Sequence, residues 1–172
     1  MEPRLFEDER GWFMESLNLE ALSGLGIRLP PFVQINHSRT GAGAFRGLHF
    51  QAPPRAQSKH VRCLRGALTD IVVDIRRGSP TYGKRFEAEL TEENRRALWV
   101  PAGFAHGFLA LTDCELEYAV FGSGYCKEAE GGIRLEPGRL PPGTSMNLRD
   151  ASWPALSELV SPFGSETEEV PA

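Results

Sequence analysis

Three side chains interrupt the apolar alternation around them: His49 in Arg46-Gly47-Leu48-His49-Phe50-Gln51, Lys59 ten residues on, and Tyr118 in Tyr118-Ala119-Val120-Phe121. Residues two apart in a strand share a face. His49 and Gln51 therefore oppose Leu48 and Phe50; if that apolar pair fills the outer packing, His49 faces the interior. Lys59 falls on the face of Val61 and Cys63, and Tyr118 on that of Leu116 and Val120. A closed sheet built this way receives an imidazole, an ammonium and a phenol from three strands, a set able to hold and move protons. Singly, each has a plainer reading: an inward histidine is commonly a hydrogen-bonded core group, and a lysine extends its stem to reach water. Together they are harder to assign to packing, because a buried polar group without a partner costs roughly 1–3 kcal/mol.

Metal binding is the rival chemistry. Pro101-Ala102-Gly103-Phe104-Ala105-His106 has the proline–glycine–histidine spacing of metal-binding cupins, with His106 as ligand. The first half of such a site needs His-x-His and a nearby glutamate, whereas His49-Phe50-Gln51 offers glutamine at the second position. His49, His60 and His106 could converge, but His60 is out of step with Lys59 on its strand. The expectation is a site with neither metal nor cofactor.

The elements that must position these groups are strands. The 18 glycines and 13 prolines punctuate short β-branched and aromatic runs, as an all-β fold requires. Strands are predicted at 32–36, 45–50, 60–64, 67–75, 86–90, 97–100, 106–111 and 116–121. Within 67–75, Thr69, Ile71, Val73 and Ile75 oppose Leu68, Asp70, Val72 and Asp74. Ser16–Gly26 reads as a short helix ended by glycine, and Thr91 could cap a short helical turn. Strands do not alternate with helices, so a parallel α/β sheet is excluded in favour of a jelly roll or barrel. One domain over 1–163 is expected, with an acidic, disordered tail at 164–172. A net charge of −4 and pI near 5.6 argue against nucleic acid as a partner. No apolar run reaches the roughly 18 residues of a membrane span, and no signal-peptide layout opens the chain. Cys63, Cys114 and Cys126 are an odd set without C-x-x-C spacing, read as reduced thiols in a cytoplasmic protein.

The stretches Asp8–Ser16, Phe32–Arg39, Arg46–Gln51, Gln57–Lys84 and Leu98–Phe108, in that order, resemble the dTDP-4-dehydrorhamnose 3,5-epimerase family. The resemblance implies a cupin-type jelly roll (a double-stranded β-helix), metal-free and homodimeric, acting on a dTDP-4-keto-6-deoxyhexose. Such a substrate loses a proton beside its ketone on one face and regains one on the other. Histidine is the usual base near neutral pH, and the enolate needs a donor in a dry pocket. By resemblance His49 is the base, Lys59 steadies the enolate and Tyr118 is the acid. Arg10 and Arg46 match positions that hold the diphosphate or nucleotide. Phe13, Glu15, Gln34 and Asn36 match nucleotide positions, part of that set reaching across the dimer. His106 matches a substrate position and Glu130 a nucleotide contact. Inversion at C3 alone or C5 alone, or nucleotide-sugar binding without turnover, are the alternative activities.

The C-terminal third departs from the family pattern. Members carry a Ser-Glu-Lys-Asp-like stretch whose aspartate pairs with the histidine base, whereas Leu159 and Val160 follow Ser157-Glu158 here. Asp70 is the expected substitute. Paired tyrosines usual after the acid are reduced to Tyr125, the expected thymine-stacking residue.

Overall fold

The computed structural model describes residues 1–136 and 138–164; most of the acidic tail predicted as disordered lies outside these. Among the described residues the elements are β1 (Phe6–Asp8), β2 (Gly11–Phe13), α1 (Leu19–Gly24), β3 (Phe32–Thr40), β4 (Phe45–Gln51), β5 (Gln57–Arg65), β6 (Ala67–Asp74), β7 (Arg85–Thr91), β8 (Ala97–Val100), β9 (Phe104–Ala110), β10 (Cys114–Gly122), β11 (Glu130–Gly132) and α2 (Leu148–Ser152). All eight predicted strands form, several with longer ends. The short hairpin β1–β2, strand β11 and helix α2 were not anticipated. Residues 91–97 form no helix: Thr91 and Asn94 exchange side-chain bonds to each other's backbone N–H, and Arg95 turns with φ +53°.

Two antiparallel sheets face each other. One has the order β3-β10-β5-β8, the other β11-β4-β9-β6-β7, giving the all-β jelly roll that alternation implied. On the outer face of the five-stranded sheet, Leu48, Phe50, Ile71, Val73 and Ile75 pack against Ile133 and Phe163 of the C-terminal segment. Between the sheets, Val61, Cys63, Leu68, Val72, Phe108 and Leu116 form the second core. Leu48 is fully buried, so Leu48→Ala would cost about 2–5 kcal/mol. Cys63 and Cys114 are buried free thiols, and burial raises the Cys63 pKa to about 11. No helix among the described residues is long and apolar enough to cross a membrane.

One irregularity shapes the interior. β4 pairs Arg46 with Phe108 and His49 with His106, so two β4 residues, Gly47 and Leu48, oppose Gly107 alone. This bulge brings Arg46 and His49, three apart, to the same cavity. Only glycine fits the crossing: Gly47 has φ +129°, and a Cβ there would lie 2.6 Å from Gly107 Cα.

Candidate functional site

Between the sheets, bordered by Phe108 and Leu116 of the second core, lies a cavity of about 560 Å³. β4 supplies Arg46 and His49 to its wall, β5 Lys59, β9 His106 and β10 Tyr118. Gln34 and Asn36 enter from β3, where Gln34 Nε2 donates to Asn36 Oδ1 at 2.7 Å. Tyr125 and Glu130 stand beyond β10 and on β11; the Tyr125 hydroxyl donates to Glu130 at 3.1 Å.

The imidazole of His49 is held by a residue that sequence reasoning missed. Nε2–H donates to Asp150 Oδ1 at 2.8 Å, while Asp150 Oδ2 accepts from the Gly47 N–H at 3.0 Å. The lone pair of the neutral ring thus falls on Nδ1. Asp150 is delivered by α2, whose N-cap Asn147 accepts from the Asp150 N–H at 2.7 Å. The Asn147-Leu148-Arg149-Asp150 pattern is a helix-start signal, and it was the available clue.

The expectation that Asp70 holds His49 is therefore corrected. Asp70, fully buried on β6, instead accepts from His106 Nε2 on neighbouring β9 at 3.0 Å. Val160, at the position assigned to the missing aspartate, is 85% exposed; the aspartate that pairs with His49 stands ten residues earlier, at 150. His60 turns away from the other two histidines, toward a second cavity near the amino terminus, which removes the three-histidine arrangement.

Burial lowers the pKa of His49, with Lys59 and Arg149 acting in the same sense; the hydrogen bond and charge of Asp150 oppose the shift without cancelling it. A ring so placed is neutral, and basic at Nδ1, near pH 7. Burial alone would raise Asp150, but the Gly47 N–H and His49 hold it below the usual carboxylate value. Burial lowers the Lys59 pKa, opposed by the charges of Asp70 and Glu130. The Lys59 ammonium lies 5.8 Å from the centroid of the Tyr118 ring. His49 thus belongs to one sheet and Tyr118 to the other, with Lys59 beside the phenol.

Arg46 donates from Nε to Thr40 Oγ1 at 2.9 Å and keeps an exposed guanidinium at the rim. Arg149, also unforeseen, bridges to Glu130 at 2.9 Å across the mouth. Arg10, Phe13 and Glu15 are not brought to this cavity within one chain. Arg10 is paired with Asp8 on the exposed β1–β2 hairpin, Phe13 is 64% exposed, and Glu15 lines the second cavity.

Comparison with known proteins gives the family and matches the fold. A family model described as dTDP-4-dehydrorhamnose 3,5-epimerase matches residues 1–158. A dTDP-4-dehydrorhamnose 3,5-epimerase of Shigella flexneri is 45% identical, over 93% of this chain and 83% of that protein. A dTDP-6-deoxy-D-glucose-3,5-epimerase from Legionella pneumophila, solved in complex with dTDP-4-keto-L-rhamnose, superposes with a TM-score of 0.83 at 37% identity, covering 92% of this chain and 87% of that one. A 3'-monoepimerase from Streptomyces bikiniensis in complex with dTDP-quinovose gives 0.80 at 32%, covering 91% and 82%. With a jelly roll, a histidine–aspartate pair and a facing tyrosine in one cavity, and a sequence match along nearly its whole length, this chain belongs to the dTDP-4-dehydrorhamnose 3,5-epimerase family, whose members are isomerases.

Proposed function

We propose that this chain inverts C3 and C5 of a dTDP-4-keto-6-deoxyhexose, one centre at a time. The observation that carries the reading is the placement of His49 and Tyr118 on opposite sheets around one cavity, with Lys59 beside Tyr118 on the same cavity wall. His49 Nδ1 takes the proton from a carbon beside the C4 ketone, and the C–H electron pair moves to the ketone oxygen as an enolate. Lys59 donates to that oxygen. The Tyr118 hydroxyl returns a proton to the carbon from the other side, the enolate collapses to the ketone, and solvent exchange resets both groups. Asp150 fixes the tautomer of His49 and stabilises the imidazolium formed. Its presence removes the reason for expecting a member that binds without turnover.

Arg46 suits the diphosphate, since a guanidinium fork binds phosphate oxygens in pairs. Gln34, Asn36, His106 and Glu130 serve as substrate and nucleotide contacts, and Tyr125, exposed at the mouth, as the stacking surface for thymine. Arg10, Phe13 and Glu15 fit this reading if a second copy brings its β1–β2 hairpin to the cavity, so a homodimer is part of the proposal. A nucleotide-sugar substrate and unpaired thiols suit the cytoplasm.

Incubation with the 4-keto sugar nucleotide in deuterated water, followed by NMR, tests the reading. Deuterium is expected at both C3 and C5. Label at one carbon alone would assign the single-centre activity instead, and no label above the level of a His49→Ala control would overturn enzymatic turnover. Sedimentation measurements check the dimer.

A further inference from the structure

We propose that Trp153 is a positioning residue for His49, an indole wall that is seated in a slot left open by Gly132 and fixes the ring against Asp150. The inference rests on His49 being the base. Trp153 follows α2 directly, so one short segment delivers both the carboxylate and the indole. Its ring meets that of His49 edge-on, with centroids 6.3 Å apart and planes at 73°. Gly132 on β11 is the Cα partner of His49 on β4. A Cβ at Gly132 would come within 2.6 Å of Trp153 Cε2 and Nε1, closer than carbon contacts allow, so the indole rests on bare backbone. Beyond the slot, the Arg134 guanidinium donates to the Trp153 carbonyl at 3.1 Å and the Arg134 N–H to the Pro154 carbonyl at 2.9 Å, tying the segment to the end of β11. The indole Nε1 is buried and makes no hydrogen bond among the described residues. Trp153 is thus held by shape, and a phenylalanine there forfeits no bond.

Two constraints then act on one imidazole: Asp150 holds Nε2, and Trp153 limits tilting and shuts water from that side. Loss of the wall should lower kcat more than it raises KM, since misplacing a reacting group costs rate steeply. It should also move the acid limb of the pH profile upward, because burial is the leading cause of the low His49 pKa. The charged and titratable groups lining the cavity with His49 are Arg46 from β4 itself, His37 from β3, Lys59 from β5, His106 from β9, Tyr118 from β10, Tyr125 beyond it, Glu130 from β11, and Arg149 and Asp150 from α2. None is altered by changing Trp153, so the displacement reads the wall.

The test compares Trp153→Ala, Trp153→Phe, Gly132→Ala and the Gly132→Ala/Trp153→Ala pair, each checked for folding by its thermal melt. Trp153→Ala is expected to lose roughly tenfold to a hundredfold in kcat and to raise the acid limb. Trp153→Phe should stay within about threefold of the parent protein, and Gly132→Ala should add little once the indole is gone. NMR titration of the His49 ring in the same variants reads its pKa without turnover. An unmoved His49 titration in folded Trp153→Ala, or a phenylalanine variant as impaired as the alanine one, overturns the inference. Retained turnover in His49→Asn would instead overturn the reading of the base, which keeps the two failures distinct.

Discussion

Two carboxylate–imidazole pairs sit side by side on adjacent strands, and their differences are more informative than their likeness. His49 and His106 are cross-strand partners, and each donates Nε2–H to an aspartate, at 2.8 and 3.0 Å. Asp70 and His106 both come from the five-stranded sheet and are both buried, so their geometry is set by the sheet register. Asp150 arrives from a helix 101 residues away in sequence, and its histidine keeps 22% of its side chain open to the cavity. A pair locked within a sheet can orient a ligand; a pair with one open nitrogen and a separately delivered carboxylate can exchange protons with one.

Experiments on both pairs would sharpen that division. The largest effect is expected from His49→Asn, which should cut kcat by about 10³-fold or more, in the upper range for a general base; steady-state turnover checks it, and a loss below tenfold would break the comparison. Asp150→Asn should come next, at about 10²-fold in kcat with KM little changed, because tautomer control is lost while the ring remains. Asp70→Asn should spare kcat to within about tenfold and act mainly on KM and stability, the latter by about 1–3 kcal/mol in urea unfolding, as expected for a disturbed buried hydrogen bond. If Asp70→Asn damages kcat as severely as Asp150→Asn, the two pairs share one role.

The smallest effect on turnover is expected at His60, which lies outside the catalytic cavity and acts on stability alone; burial, with the Arg62 charge beside it, pushes its pKa down from 6.5 to about 4. The unfolded chain binds this proton more readily than the folded one. The associated stability is therefore complete above pH 6.5 and is lost as pH falls through 4, amounting to about 3 kcal/mol over that window. Urea unfolding at pH 7 and pH 4.5 should show a smaller acid loss in His60→Gln than in the parent chain.

Alternation made much of this legible. In β4, Leu48 and Phe50 occupy the outer side read for them; in β6, Ile71 and Val73 share one face, as the alternation had it; and placing His49, Lys59 and Tyr118 indoors followed from the same rule. What escaped had no local signal. β11 reads Glu-Gly-Gly, and its glycines make sense only once Phe50 and Trp153 lie over them. Asp150 was hidden because its partner lies across the whole fold, and the Ser-Glu pair at 157–158 resembled the family motif more closely than the sequence around Asp150 does. Asp70, on the correct face of β6, was one strand too far from His49. The β1–β2 hairpin points its apolar residues to solvent, where periodicity cannot say what they meet.

The bulge in β4 has a consequence for reach. Because Gly47 and Leu48 bow out against a single Gly107, one strand carries both the Arg46 guanidinium and the His49 imidazole, separated by a fixed span of backbone. Under the proposed chemistry that span works as a gauge, measuring from phosphate to ring carbon. Removing one of the two bulged residues would leave Arg46 and His49 two apart, still on one face of a regular strand, but would shorten the span between guanidinium and imidazole, and the gauge would read short.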